Sequence, residues 1–259
     1  MIDYQVLRSA RKTLSLQVKQ GLVLVRAPHH VDEKFIRLFI KKKNAWLKAK
    51  IIEQNQTVNL CCDFTHGSKL FLFGQLVTLN ILFASLSKNS AKSMREKSNI
   101  AKTVVVSATV NEQKILTVTL PTRIQNKQLE QSQLALLVKK QLEYFFKQQA
   151  QDIILPRVAY FSKLTQLEPT SIKIRQYRAR WGSCNNRGEL SFNYLLMMLP
   201  LEVIDYVVVH ELCHLRYLNH SKYFWQLVAQ FFPNYITAKQ WIKNHQSALH
   251  WQSPVQLNA

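Results

Sequence analysis

Alternating apolar and polar positions near the start of the chain predict a β-hairpin. Residues 13–18 and 22–26 both alternate, and a short connection containing a glycine joins them. From residue 33 to about residue 56, apolar residues recur at helical spacing, which predicts a helix with Asp32 as its N-cap. The lysine run at 41–43 lies on the polar side of this helix, where it is either a solvated face or a face that contacts phosphate groups.

The middle of the chain predicts four more strands and an insertion. Residues 69–83 indicate two short strands around a glycine, and residues 103–110 and 115–120 indicate two others. The segment 85–102 between them is rich in Ser, Lys and Asn and contains no aromatic residue. We therefore expect this segment to be an exposed loop or insertion.

Helical patterns dominate the second half of the chain. An amphipathic pattern from residue 126 to about residue 161 predicts a long helix that is interrupted or kinked near Pro156. Short strands are predicted at 172–175 and 189–194. Three further helices are predicted, at residues 200–218, 221–232 and 236–245. Strands followed by helices, without regular βαβ alternation, are typical of the α+β class.

These patterns divide the chain into two predicted regions. Residues 1–125 form an N-terminal α+β region that is rich in strands and contains the hairpin, the Lys-rich helix and the insertion. Residues 126–259 form a second domain, which contains the candidate catalytic residues.

The second domain contains a histidine pattern that is typical of a metal site. Residues 210–220 read His-Glu-Leu-Cys-His-Leu-Arg-Tyr-Leu-Asn-His. His210 and His214 are four residues apart, so a helix presents both imidazoles on one face. A continuing helix would turn His220 away from that face. The chain must therefore leave the helix, and Asn219 tolerates the left-handed conformation that such an exit requires.

Three neutral imidazoles leave one corner of a tetrahedral zinc ion open, as in catalytic rather than structural sites. The ion lowers the pKa of its bound water towards about 7. Glu211, next to His210, then removes a proton from this metal-bound water, which attacks a carbonyl or phosphoryl centre. The spacing thus predicts a zinc-dependent hydrolase, and histidines that are satisfied within a core are the structural alternative.

Four stretches around this motif resemble the YgjP-like metallopeptidase family. They are RARWGSC at 178–184, LSFNY at 190–194, VIDYVVVHELCH at 203–214 and NHSKYFW at 219–225. The family is related to the SprT-like and WLM zinc peptidases, and the resemblance is specific over residues 170–245. It implies a zincin-like α+β domain with Glu211 as the base. The zinc ligands that it implies are His210, His214 and His220.

Two arginines precede the predicted catalytic helix. Arg178 and Arg180 stand just before Gly182, and we expect them to bind an anionic substrate group or to stabilise an oxyanion. The alternative is a structural ion pair with Asp205 or Glu202.

The charge of the chain suggests a polyanionic partner. Its 259 residues include 35 Lys and Arg against 15 Asp and Glu, which gives a formal net charge of +20. Such a surplus favours association with nucleic acid or nucleotides. The chain has no run of 18 apolar residues and no signal-peptide pattern at its start, so we expect a cytoplasmic protein with reduced thiols and no membrane partner. The sequence does not indicate the oligomeric state.

Three functions from different classes are consistent with these observations. The leading one is a zinc-dependent metallopeptidase that cleaves a protein or peptide substrate with a water activated by Glu211. The second uses the same metal to hydrolyse a nucleotide phosphoanhydride. The third is a non-catalytic nucleic-acid-binding protein with a structural zinc, for which Glu211 would not be needed.

Overall fold

The fold is given by a computed structural model. It describes residues 3–19, 22–58, 62–84, 107–110, 113–127, 129–177, 179–246, 248–249 and 251. The predicted insertion at 85–102 and the candidate residue Arg178 lie outside these described residues.

The chain forms two compact units, Met1–Cys61 and Cys62–Ala259. The boundary that the sequence predicts, between residues 125 and 126, lies inside the second unit. It remains a prediction about which part of the chain folds independently.

A three-stranded sheet forms the first half of the first unit. Its strands are β1 (Tyr4–Ser9), β2 (Ser15–Lys19) and β3 (Leu22–Pro28). Strand β3 is central, with β2 antiparallel on one side and β1 parallel on the other. The predicted hairpin is therefore confirmed, whereas β1 was not predicted from the sequence.

Two helices cover this sheet in place of the single predicted helix. They are α1 (Glu33–Lys42) and α2 (Asn44–Val58). The predicted cap is confirmed, because the side chain of Asp32 accepts a hydrogen bond from the backbone N–H of Lys34. At Lys43 the backbone leaves the helical region, which separates α1 from α2. The core of the unit consists of Val18, Val23, Val25, Ala27, Ile36, Ile40 and Leu47.

The second unit begins with a four-stranded sheet. Its strands are β4 (Lys69–Leu72), β5 (Gln75–Ala84), β6 (Ser107–Val110) and β7 (Gln113–Pro121), in the order β4-β5-β7-β6. Strands β5 and β7 are parallel, and the outer pairs are antiparallel. The turn between β4 and β5 requires Gly74, which has a φ of 76°. A Cβ there would also lie 2.4 Å from the ring of Pro200, so the turn packs closely against the chain that leads into the candidate site.

Two helices, α3 (Thr122–Gln125) and α4 (Gln131–Thr165), follow the sheet. Helix α4 continues through Pro156 without a break, so the predicted interruption is wrong, and the alternative of a kink stays a prediction. Its buried side chains recur every four residues, which gives a stripe that packs on the rest of the unit. They include Val138, Leu142, Phe146, Ala150, Ile154 and Val158.

A second small sheet and three helices complete the unit. The sheet has the order β8-β10-β9, where β8 is Ser171–Arg175, β9 is Gly182–Cys184 and β10 is Glu189–Asn193. A 3₁₀ helix (Tyr194–Met198) leads to α5 (Leu201–Cys213), and α6 (Lys222–Phe231) and α7 (Tyr235–His245) follow.

The separate sheets and helices, with a sheet at the N-terminus, confirm the α+β class. Within the described part of the chain, helices that are long and apolar enough to cross a bilayer are absent.

Candidate metal centre

Helix α5 carries two of the three histidines. It contains the run Val207-Val208-Val209, and β-branched residues are poor formers of isolated helices. Tertiary packing compensates, because these valines are at most 4% exposed and α5 packs against α4. The side chain of Asp205 forms an ion pair with Arg157 of α4, with 2.7 Å between the carboxylate oxygen and Nε. The helix that presents His210 is therefore fixed on its inner side.

The chain leaves α5 earlier than the sequence pattern predicts. The helix ends at Cys213, and His214 is its C-cap, with φ −67° and ψ −18°. Backbone hydrogen bonds from Arg216 and Tyr217 to the carbonyl of Cys213 then tighten the chain into a turn. The predicted exit through a left-handed Asn219 is wrong, since the described non-glycine residues with positive φ do not include it.

This turn brings His220 back to the two histidines of α5. The ligand atoms of His210, His214 and His220 all lie within 4.8 Å of one another. The Nε2 atoms of His210 and His220 are 3.1 Å apart. Two nitrogens bound tetrahedrally to zinc at about 2.0–2.1 Å are about 3.3–3.4 Å apart, so this spacing is close to that of a shared ion.

The hydrogen bonds of the imidazoles leave nitrogens free for a metal. Nδ1 of His214 lies 2.9 Å from the carbonyl oxygen of Tyr217, to which it donates when protonated, so Nε2 carries the free lone pair. Nδ1 of His210 is buried and has no hydrogen-bond partner among the described residues. The close approach of two Nε2 atoms is repulsive when both carry lone pairs, and a cation between them removes that repulsion. The donor set therefore fits a metal ion.

Burial keeps two of these imidazoles neutral. Burial, together with smaller contributions from His214, His220 and Lys239, lowers the pKa of His210 to about 3. Burial also lowers the pKa of His214, although the hydrogen bond to Tyr217 opposes the shift. Because a metal binds only the neutral imidazole, this environment favours metal binding over protonation.

Helix α6 supports the site with aromatic rings. Its predicted cap is confirmed, since the Ser221 hydroxyl accepts a hydrogen bond from the backbone N–H of Phe224. The fully buried ring of Phe224 stacks on His214 at 4.5 Å and meets His210 and His220 edge-on, each at 4.9 Å. Phe224 thus contacts all three histidines. Sequence reasoning missed it, although a position just inside a helix that begins next to His220 is one that lies near the site.

Trp225 lies on the other side of His220. Its indole stacks on the imidazole of His220 at 5.6 Å and on the ring of Tyr235 at 5.4 Å. The ammonium group of Lys239 lies 4.4 Å from the centre of the indole. The Trp225 ring also lies 5.8 Å from that of His210, so Trp225 is a packing partner of two candidate ligands.

Glu211 is a buried carboxyl group that directly follows His210 in α5. It is 6% exposed, and burial raises its pKa to about 8, while the positive charge of Arg180 lowers it. A divalent cation at the histidines would lower this pKa again by the same kind of Coulomb interaction. A carboxyl group whose pKa lies near neutrality is suited to accept and return a proton.

Comparison with known proteins identifies the family. Residues 12–118 and 106–245 match the family described as "YgjP-like, metallopeptidase domain". The chain belongs to this family. It is therefore a metallopeptidase by family, and a metal ion is part of its function.

One solved structure that matches part of the chain is the crystal structure of the metallopeptidase zymogen of Pyrococcus abyssi abylysin. It is 20% identical, and the alignment covers 38% of this chain and 97% of that chain with a TM-score of 0.33. A similarity this low carries no argument about function. Curated proteins gave no match.

Of the two candidate substrate-binding arginines of this YgjP-like protein, the structure describes only one. Arg178 lies outside the described residues. Arg180 is exposed, its guanidinium lies 5.8 Å from the centre of the Tyr177 ring, and its charge acts on Glu211. Pairing of an arginine with Asp205 does occur, but the partner is Arg157. Arg180 thus lies near the candidate base.

Proposed function

We propose that this YgjP-like protein is a zinc-dependent peptidase in which Glu211 is the general base and His210, His214 and His220 hold the ion. The observation that carries the proposal is the convergence of three imidazoles, together with the burial of Glu211, which directly follows His210 in α5. A structural brace for the turn would need the histidines but would not need Glu211.

Zinc is the ion that the donor set favours. Three neutral imidazoles with an open position are typical of catalytic zinc sites, whereas magnesium and calcium prefer oxygen ligands. Other first-row metals bind imidazole too, so metal analysis of the purified protein tests this choice.

Each residue of the site has a distinct role in the proposed hydrolysis. When bound, the ion supplies a Lewis acid and an acidified water molecule. Glu211 accepts a proton in the first half of the reaction and returns it to the leaving amine. Arg180 stabilises negative charge that develops on the substrate or binds an anionic group of it. Arg178 shares this proposed role on the basis of sequence alone.

An unpaired strand edge near Glu211 favours a peptide substrate. Strand β9 is the last strand of its sheet within the described residues. The carbonyl of Trp181 and the N–H of Asn185 pair with the β10 side. Because antiparallel strands alternate, the main-chain groups of Gly182 and Cys184 point away from β10. An extended peptide can pair with such groups as an added strand, whereas a nucleotide has no extended backbone that could pair in this way.

Substrate assays with a matched variant test the proposal. The zinc-loaded protein is incubated with casein, with a quenched peptide library and with each nucleoside triphosphate. We expect peptide cleavage that Glu211→Gln reduces by about 10²–10⁴-fold while the bound metal remains. Cleavage of nucleoside triphosphates without peptide cleavage would rule out the peptidase function and support the nucleotide hydrolase. Equal peptide cleavage by Glu211→Gln would remove Glu211 from the mechanism.

A second candidate function, binding of single-stranded nucleic acid, is favoured by the outer face of α1. Phe35 and Leu38 are 59% and 69% exposed, and their spacing of three residues places them on one side of the helix. Exposed lysines surround them at Lys34, Lys41 and Lys42. Lysines that contact phosphates next to an exposed aromatic ring are typical of surfaces that bind single strands. Retention on single-stranded DNA at low salt that disappears at high salt would support this function, and no retention at low salt would exclude it.

The cysteines favour a reducing compartment. Among the described residues, Cys184 and Cys213 are free thiols. Because disulfides are rare in the cytoplasm, we propose a cytoplasmic location, which fractionation of the native cells would test.

A further inference from the structure

Gly182, the first residue of β9, lies directly against the carboxyl group of Glu211. A Cβ atom at this position would be 2.6 Å from Cγ, 2.6 Å from Oε1 and 2.8 Å from Cδ of Glu211. Carbon atoms in favourable contact are about 3.5–4.0 Å apart, so a side chain at position 182 and the present position of this carboxyl group exclude each other.

The close approach of Glu211, and not the backbone conformation, explains why position 182 is a glycine. Gly67, Gly74 and Gly188 have positive φ values between 74° and 83°, a region that favours glycine. Gly182 is not among the glycines with positive φ, so its backbone is accessible to other residues. The three nearest atoms around its missing Cβ all belong to Glu211.

The strand that carries Gly182 is held in place from the other side. The side chain of Asn193 is 3% exposed, and its Nδ2 donates hydrogen bonds to the carbonyl oxygens of Tyr177 and Arg180, at 3.0 and 3.2 Å. The backbone N–H of Asn193 donates to the carbonyl of Trp181 at 2.8 Å. With this loop fixed, a side chain at position 182 would displace the carboxyl group of Glu211 more readily than it would displace β9.

We infer that Gly182 is a positioning residue, whose missing side chain provides the space that the carboxyl group of the proposed base Glu211 occupies. The inference rests on the proposed function for its catalytic meaning. It assigns a specific role to the glycine of the Arg-Trp-Gly-Ser-Cys stretch.

Kinetics of Gly182→Ala provide the first test. A displacement of a reacting group by about 1 Å can cost about 10²-fold in rate, so we expect kcat to fall by about 10–100-fold. KM and bound metal should stay near the wild-type values, because the three atoms nearest to the new methyl group all belong to Glu211. Gly67→Ala is the matched control. It strains a backbone with a φ of 83°, but its Cβ would have no neighbour within 4 Å, so kcat should be unchanged. A normal kcat for Gly182→Ala would overturn the inference.

A double-mutant cycle on the metal-free full-length protein provides the second test. Glu211→Ala removes all three atoms that the Cβ would meet. Gly182→Ala should therefore lower the urea midpoint of the wild type and leave the midpoint of Glu211→Ala unchanged. If Gly182→Ala does not fold alone, folding of the double variant is the same positive result. Equal shifts in both backgrounds would overturn the inference.

The cycle separates this inference from the proposed function. If positions 182 and 211 are coupled in a protein that cleaves no peptide, the inferred contact is supported and the proposed peptidase function is ruled out. If the protein cleaves peptides, shows no coupling and keeps a normal kcat in Gly182→Ala, the peptidase function is supported and the positioning role of Gly182 is ruled out.

Discussion

The two units of the chain place their polar chemistry in opposite environments. In Met1–Cys61, the residues that suggest a partner are exposed, as Lys41 and Lys42 are on α1. In Cys62–Ala259, the candidate base Glu211 and the candidate ligand His214 are buried, and burial shifts their pKa values, whereas His220 is exposed. An exposed charge contributes to binding together with many other charges, and salt screens its effect. The effect of a buried polar group depends on its exact position, because electrostatic interactions are stronger away from water. Single substitutions should therefore have large effects in the second unit and small ones in the first.

Loss of one ligand should produce the largest effect. In His220→Ala, two imidazoles from α5 remain, and we expect loss of bound metal and of peptide cleavage to the detection limit. Metal content by mass spectrometry and peptide cleavage are the measurements. His245→Ala is the matched control, because His245 lies in α7, outside the cluster, and hydrogen-bonds the carbonyl of Trp241. Full metal content in His220→Ala would show that the third histidine is not a ligand.

Replacement of the ring under the histidines should have the next largest effect. Phe224→Leu keeps an apolar side chain but removes contacts with all three imidazoles, so we expect zinc affinity to fall about 10–100-fold, as for other groups that orient ligands. Competition with a chromophoric chelator measures the affinity. Phe146→Leu is the control, since Phe146 is equally buried in α4 and should lose stability without losing zinc affinity. Equal zinc affinities in the two variants would contradict the supporting role of Phe224.

Removal of the metal should affect the two units differently. At a zinc concentration 100 times its dissociation constant, binding stabilises the folded state by about 2.7 kcal/mol. All three candidate ligands belong to the second unit. Hydrogen exchange before and after chelation should therefore show faster exchange in α5 and α6, with little change in β1 to β3. Faster exchange confined to the first unit would contradict the assignment.

Charge reversal on α1 should give the smallest effect on catalysis. Lys41→Glu/Lys42→Glu should reduce the salt dependence of binding to single-stranded DNA by about one unit of slope per lost phosphate contact. Cleavage of a short neutral peptide should be unchanged. The control with the same charge change is Lys127→Glu/Lys163→Glu, at two exposed positions of the second unit. Equal losses of DNA binding in both variants would indicate a general charge effect and would exclude a specific face.

The sequence predicts well those features that depend on residues close together along the chain. The caps at Asp32 and Ser221 were predictable because an N-cap bonds its own helix. The pair His210 and His214 was predictable because helical periodicity alone brings them together. The α+β class followed from the order of the elements. These predictions depend on residues that are close in sequence.

Tertiary contacts explain what the sequence did not predict. Strand β9 has three residues and is defined by its pairing with β10, so it has no alternating pattern of its own. The role of Phe224 depends on where the turn after His214 leads. The helix break at Lys43 and the continuity of α4 through Pro156 both oppose local preference. In each case, packing decides between conformations that the sequence pattern leaves close in free energy.

The most direct test of the account is anomalous diffraction at the zinc edge from crystals of the zinc-loaded protein. We predict one ion per chain, at about 2.0–2.1 Å from the Nε2 atoms of His210, His214 and His220, with the Glu211 carboxyl group beside it but not bound. An anomalous peak elsewhere, or none in a protein that cleaves peptides, would contradict the proposed centre.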